Sequence, residues 1–212
     1  MPLIRQISMC VLGAVLALLP AALSAQSVSD ASRLARAAAP LMPLGKVLED
    51  AATADPVWPF TENPGDVDAA QLACVRGNLR EPQFLAFMEE RAADYIRAHP
   101  DRVVDDIALL EGGGGKLFAR LISEGIAAGS AKREMDLGAV MGQAQPGDLT
   151  AMLALSSEPR YQPVRELIGI NQAMNGGESS KAAGESAALT FVLPMLMNAM
   201  TTCNVPVSAL TK

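Results

Sequence analysis

Positive charge and aromatic side chains are both scarce in this 212-residue chain. Lys and Arg number 17 against 23 Asp and Glu, for a formal net charge of −6. Binding to phosphates needs clustered cations, so this balance argues against nucleic acid as a partner. Aromatics make up only 4% of the residues. β-branched runs are few, and no stretch of four or more residues keeps a strict apolar–polar alternation, which leaves no strand candidate. Histidine occurs once, as His99, and cysteine three times. There is no CxxC, no HExxH and no GxSxG, so the usual marks of thiol redox chemistry, zinc hydrolysis and serine hydrolysis are missing. What the chain does have is a half-apolar composition with only 19% charge, rich in Ala, Leu and Met. Such a chain is not disordered, and it favours helices.

Residues 1–25 read as a secretory leader. Arg5 is their only charge, Ile7 to Leu19 is almost wholly apolar, and Pro20 breaks the run ahead of Ala21, Ala22, Leu23, Ser24 and Ala25. Small residues at that point suit a peptidase, with cleavage after Ala25 or, alternatively, after Ser24. The run is shorter than the roughly 20 residues needed to span a bilayer. Removing it also removes Arg5, leaving a chain one charge more acidic. The implied address is the bacterial periplasm or exterior, with 26–212 as one helical domain and no transmembrane segment in it.

Cys74 and Cys203 remain after cleavage. In an oxidising compartment such a pair is expected to bond. Neither has a second Cys or a His within a few residues, which argues against a metal site.

Prolines and caps divide the domain. Ser29 or Asp30 caps a helix through Ala39, and Pro43 opens another over 44–52. Residues 54–65 form a Pro-rich loop holding the only Trp. Asp66 is expected to cap the Cys74 helix. Pro82 opens an amphipathic helix with Phe84, Met88, Ala92 and Tyr95 on one face, ending at His99-Pro100. Asp101 caps the next helix. Gly112–Gly115 stop or hinge it before Leu117 resumes the pattern. Pro146 restarts the chain, Ser156–Pro159 breaks it, and one more helix carries Val164 to Met174. Residues 175–180 form a Gly/Ser loop. A final apolar helix over 185–202 is kinked near Pro194. The expectation is an all-α, single compact bundle of about seven to nine short helices with one disulfide.

Candidate chemistry is thin. Glu111-Gly-Gly-Gly-Gly-Lys116 superficially resembles a phosphate loop. It lacks the earlier glycine, the Ser or Thr after the lysine and a preceding strand, so it reads as a tight helix–helix turn. His99 has no nameable nucleophile beside it and reads as a helix-end cap. The adjacent acids Glu89-Glu90 and Asp105-Asp106 read as solvated helix faces, with a carboxylate hydrolase as the alternative. Trp58 and Phe60 form a partner-binding loop or fold back on the core. Met195 and Met197, with Met174, either belong to a central core helix or line an apolar groove for a lipid. No cofactor or metal is expected.

The segments Pro43-Leu-Gly45, Asp55-Pro-Val-Trp58-Pro and Ala70-Gln-Leu-Ala-Cys74-Val-Arg-Gly77 are followed by helices broken at Gly112–Gly115 and Ser156–Pro159. In this succession the chain resembles small secreted all-helical proteobacterial proteins with domains of unknown function. The resemblance implies an exported helical protein and supplies no activity. The functional expectation is a non-enzymatic protein that binds an envelope macromolecule as accessory or inhibitor. A lipid carrier and an envelope hydrolase are the alternatives.

Overall fold

A computed structural model describes residues 30–170 and 188–210. The segment 1–25 read as a leader, Met174, and the stretch 175–180 read as a Gly/Ser loop lie outside the described residues. Within them the chain is all α, with no strand. Ten α-helices occur in the order α1 (30–38), α2 (Leu44–Ala54), α3 (Ala69–Gly77), α4 (Glu81–Ala98), α5 (Val103–Glu111), α6 (Gly113–Ser130), α7 (Leu137–Met141), α8 (Pro146–Ser157), α9 (Gln162–Leu167) and α10 (Leu193–Thr202). They form the compact helical bundle that the composition predicts.

Local chemistry accounts for the boundaries. Asp68, not Asp66, caps α3. Its carboxylate accepts the Gln71 N–H at 2.8 Å, and the Gln71 side chain accepts the Asp68 N–H at 3.1 Å. This reciprocal pair satisfies two donors that the first turn leaves open, while Asp66 closes a preceding 3-10 turn. Pro82 sits in the first turn of α4, where its missing N–H costs nothing. At the far end, Ala188–Val192 is a π turn that passes into α10 just before Pro194. The kink expected there takes this form.

The core gathers one face from each of several helices. Leu34, Leu48, Val75, Phe84, Met88, Ile107, Val164 and Phe191 are all buried in it. On α4 the buried set is Phe84, Met88, Ala92 and Tyr95, spaced four, four and three apart. Burying the Phe84 side chain contributes about 2–3 kcal/mol at the usual transfer rate. The disulfide joins Cys74 on α3 to Cys203 at the end of α10 across 129 residues, closing the bundle covalently.

Helix α10 is not a central helix. It buries Met195, Ala199 and Met200 while Leu193 and Asn198 face outward. An apolar sequence therefore does not here mean burial on all sides; the helix lies on the bundle surface with one face inward.

Helix α6 packs on α7 and α8, and joins this unit to α5 and to the 3-10 turn Ala39–Leu41. The glycines make this possible. A Cβ at Gly114 would lie 2.6 Å from the Ala151 Cβ and 2.7 Å from the Met152 N. At Gly115 it would meet the Leu110 carbonyl oxygen at 2.2 Å. The helix–helix turn read from the sequence is confirmed, but Gly113–Gly115 belong to α6 rather than preceding it.

Candidate functional site

The Pro-rich loop is held by two polar residues. The Asp55 carboxylate accepts the Val57 N–H at 2.9 Å and the Thr61 hydroxyl at 2.8 Å. The Val57 bond, followed by the Thr61 bond, holds the Asp55 carboxyl below the usual carboxylate range. From α3, Arg76 donates through Nε to the Trp58 carbonyl at 2.8 Å and through Nη2 to the Asp55 carbonyl at 2.6 Å. The Trp58–Pro59 peptide is cis. Phe60 plugs into the core at 1% exposure, whereas Trp58 stays half-buried. The two aromatics therefore divide between the two roles open to them: Phe60 packs inward, and Trp58 lines a cavity.

That cavity has a volume of about 440 Å³. Leu48, Ala52 and Leu79 supply apolar surface, and Glu49, Arg76 and Arg80 supply charge. Glu49 accepts the Glu81 N–H at 3.4 Å. Sequence reasoning missed Arg76 and Arg80. No short-range pattern marks an arginine that reaches a loop 18 to 21 residues away.

A second polar cluster lies between α4 and α5. Asp106 is 1% exposed, which overturns its assignment to a solvated face. Tyr95 donates its hydroxyl to Asp106 Oδ2, and Arg102 donates to Oδ1 at 3.2 Å. Asp105, one residue back and about 100° round the helix, is exposed. The two adjacent acids therefore sit in different environments, one buried and one in solvent. Burial, together with the hydrogen bond and charge of Asp106, drives the Tyr95 phenol well above its ordinary pKa. A phenol so held is a fixed donor and a poor base or nucleophile. The His99 ring packs on Tyr95, with centroids 4.9 Å apart, while its backbone N–H bonds the Tyr95 carbonyl at 2.8 Å. His99 thus ends α4 through its backbone, and its ring covers the Tyr95 face. Glu89 accepts the Ser32 hydroxyl at 2.8 Å, and Glu90 borders a groove between α4 and α10.

That groove, about 370 Å³, takes in Met195 together with Phe87, Asn78, Gln83 and Asn198. Met195 is buried at its floor and Met197 is half-buried elsewhere on α10. Amides and Glu90 make the groove as much polar as apolar. Among the described residues no group of three or more His, Cys, Asp or Glu is placed to hold a metal ion. Among them, too, no helix is long and apolar enough to cross a membrane.

The α6–α8 unit presents a different kind of surface. Of 18 residues, α6 buries only Gly114, Gly115, Leu117 and Ala128. Helix α7 buries none and α8 only Leu155. Met135, Leu137 and Leu153 are exposed large hydrophobic residues, and Leu121, Ile122, Ile126, Leu149 and Met152 are half-buried. The turn after α6 is clasped by Glu124, which accepts from Arg133 at 2.5 Å and from the Asp136 N–H at 2.9 Å. These bonds, the Arg133 one first, hold the Glu124 carboxyl down at about 2.

No family model matches the chain, and neither a curated protein nor a solved structure matches it.

Proposed function

We propose that this is an exported, non-enzymatic helical protein of the bacterial envelope that binds another macromolecule through its α6–α8 unit. The observation that carries this reading is the apolar side-chain surface left uncovered there: Leu137 is 54% and Leu153 is 56% exposed. Single exposed hydrophobics are ordinary, but a unit whose three helices bury so little of their apolar content has surface to offer a protein partner. An amphipathic helix or an apolar loop of an envelope protein suits such a surface best.

Export rests on the leader-like segment 1–25 and on the disulfide, since oxidising compartments are where such bonds persist. A non-enzymatic role is supported by the state of the acids. Asp106 is engaged by Tyr95 and Arg102, and Asp105 is exposed to solvent.

The test is retention from an envelope extract on immobilised, oxidised protein beginning at Gln26, read by mass spectrometry. A Leu137→Ser/Leu153→Ser variant is run beside it. Both positions are exposed, so the fold is expected to tolerate the change. The expected result is a protein held near stoichiometry by the parent and lost by the variant. No retained protein, or retention equal in the two, overturns the reading.

A further inference from the structure

We infer that the cavity beside Trp58 is a binding site for a small organic anion with an apolar body, of the monocarboxylate class. The argument begins with its floor. Leu48 and Leu79 are buried, and the half-buried Trp58 indole forms a wall. Flat aromatic and aliphatic surfaces of this kind take up the apolar part of a ligand with little loss of side-chain freedom. At about 440 Å³ the volume falls within the roughly 300–1,000 Å³ usual for small-molecule sites.

The charges select the head group. Arg76 and Arg80 contribute two guanidinium groups and Glu49 one carboxylate. The lining is therefore net positive in a chain whose net charge is −6. Arg76 uses Nε and Nη2 on the two loop carbonyls, so its position is fixed by the fold. Arg80 is exposed and makes no side-chain hydrogen bond or ion pair within the described residues. An exposed guanidinium fork left open on the wall of a cavity of mixed polar and apolar lining matches a carboxylate, which it meets with two parallel bonds. The single excess positive charge suits a monoanion, and Glu49 opposes a second negative charge. The carboxylate would sit against Arg80, with the fixed charge of Arg76 behind it and the carbon chain along Trp58 and Leu79. The cavity is lined by α2, the Pro-rich loop and the α3–α4 junction, apart from the α6–α8 surface. It stands whether or not that surface takes a partner.

Trp58 is the only tryptophan in the chain, so emission excited selectively at tryptophan, clear of the two tyrosines, reports on this cavity alone. Oxidised full-length mature protein would be titrated with octanoate, with 1-octanol and with octylammonium. Octanoate should shift the Trp58 emission with saturation, and the uncharged and cationic analogues should bind at least tenfold more weakly. Arg80→Gln should weaken octanoate about tenfold while leaving the ligand-free emission and the unfolding midpoint unchanged. Arg80→Lys should restore part of the affinity. A linear, non-saturating response overturns the inference. So does octanol binding as tightly as octanoate, or octanoate affinity unaltered by Arg80→Gln.

Discussion

Helices α4 and α6 are the same length, 18 residues, and each buries four of them, but what they bury differs in kind. Helix α4 carries six charged residues and still buries Phe84, Met88, Ala92 and Tyr95. Helix α6 carries three, yet half of its four buried residues are glycines. The difference lies in the neighbours. Helix α4 is packed against α2 and α9 and contributes to the common core, whereas α6 meets chiefly α5, α7 and α8. At Gly114 the α6 backbone lies so close to the α8 backbone that a Cβ has no room. Composition therefore sets how much apolar surface a helix has, and which elements it packs against sets how much of it is covered. The uncovered remainder on α6–α8 is what the proposed function uses.

Helix ends repeat the contrast. In the bundle, α9 closes with Gly169 at φ +72° and α10 with Asn204 at φ 53°. In each, the N–H of the following residue reaches back, Ile170 to the Arg165 carbonyl and Val205 to the Met200 carbonyl, at 3.0 and 2.9 Å. Gly and Asn are the residues that tolerate this left-handed position. Helix α6 ends in the same way, with Arg133 N–H on the Ala128 carbonyl at 2.9 Å, but places Lys132 at φ 51°. A side chain there costs about 1 kcal/mol or more relative to glycine. The α6–α8 unit is thus stabilised less by burial and carries more local strain.

The contrast can be broken from the bundle side by removing the disulfide. Closing a loop of this length reduces the entropy of the unfolded chain by an amount equivalent to about 5 kcal/mol. Cys74→Ala/Cys203→Ala should therefore lower the urea midpoint more than any change in α6–α8, and a smaller loss than that of Gly114→Ala would reverse the ranking. Gly114→Ala comes next. Its new methyl would press on the Ala151 Cβ at 2.6 Å, for an overpacking cost of about 1–3 kcal/mol. Amide exchange should quicken in α6 and α8 while α4 keeps its protection. Uniform acceleration across both would show that the two regions unfold as one. Lys132→Gly should act in the opposite direction, slowing exchange in the last turn of α6 by relieving about 1 kcal/mol of strain. The smallest effect is the pH response of the Glu124 clasp. A carboxyl at about 2 in the folded chain, below the ordinary glutamate value of 4.5, stabilises fully above the higher value. That contribution is lost as pH falls through the lower one. Exchange at the Asp136 N–H, corrected for its intrinsic rate, should lose protection progressively as pH falls from about 4.5 to about 2. Glu124→Gln should abolish that dependence.

Most breaks in the chain were legible from short-range chemistry. Pro43, Pro82 and Pro146 stand at or beside the helix starts anticipated from them, and His99 ends α4. The shift of the α3 cap from Asp66 to Asp68 is a case of two adequate caps two residues apart. Only Asp68 has a Gln three residues on to complete the pair. The candidate site was legible only in part. Trp58 stood out as the sole tryptophan, but its partners Arg76 and Arg80 lie on another element and leave no periodic trace. Asp106 looked like its exposed neighbour Asp105: the i,i+4 spacing from Arg102 offers it an ion pair, but nothing in the sequence says that Tyr95 will meet it or that it will be buried.

The sequence by itself determined the helical class, the places where helices must stop, and the cysteine pair left to bond. These depend on backbone sterics, missing donors and capping groups that act within a few residues of their own position. The tertiary structure alone decided which acid is buried, that α10 shows one face to water, that α6 meets α8 through glycine, and that two arginines converge beside Trp58. Burial and electrostatic environment belong to pairs of surfaces brought together from distant parts of the chain, and no single segment carries them.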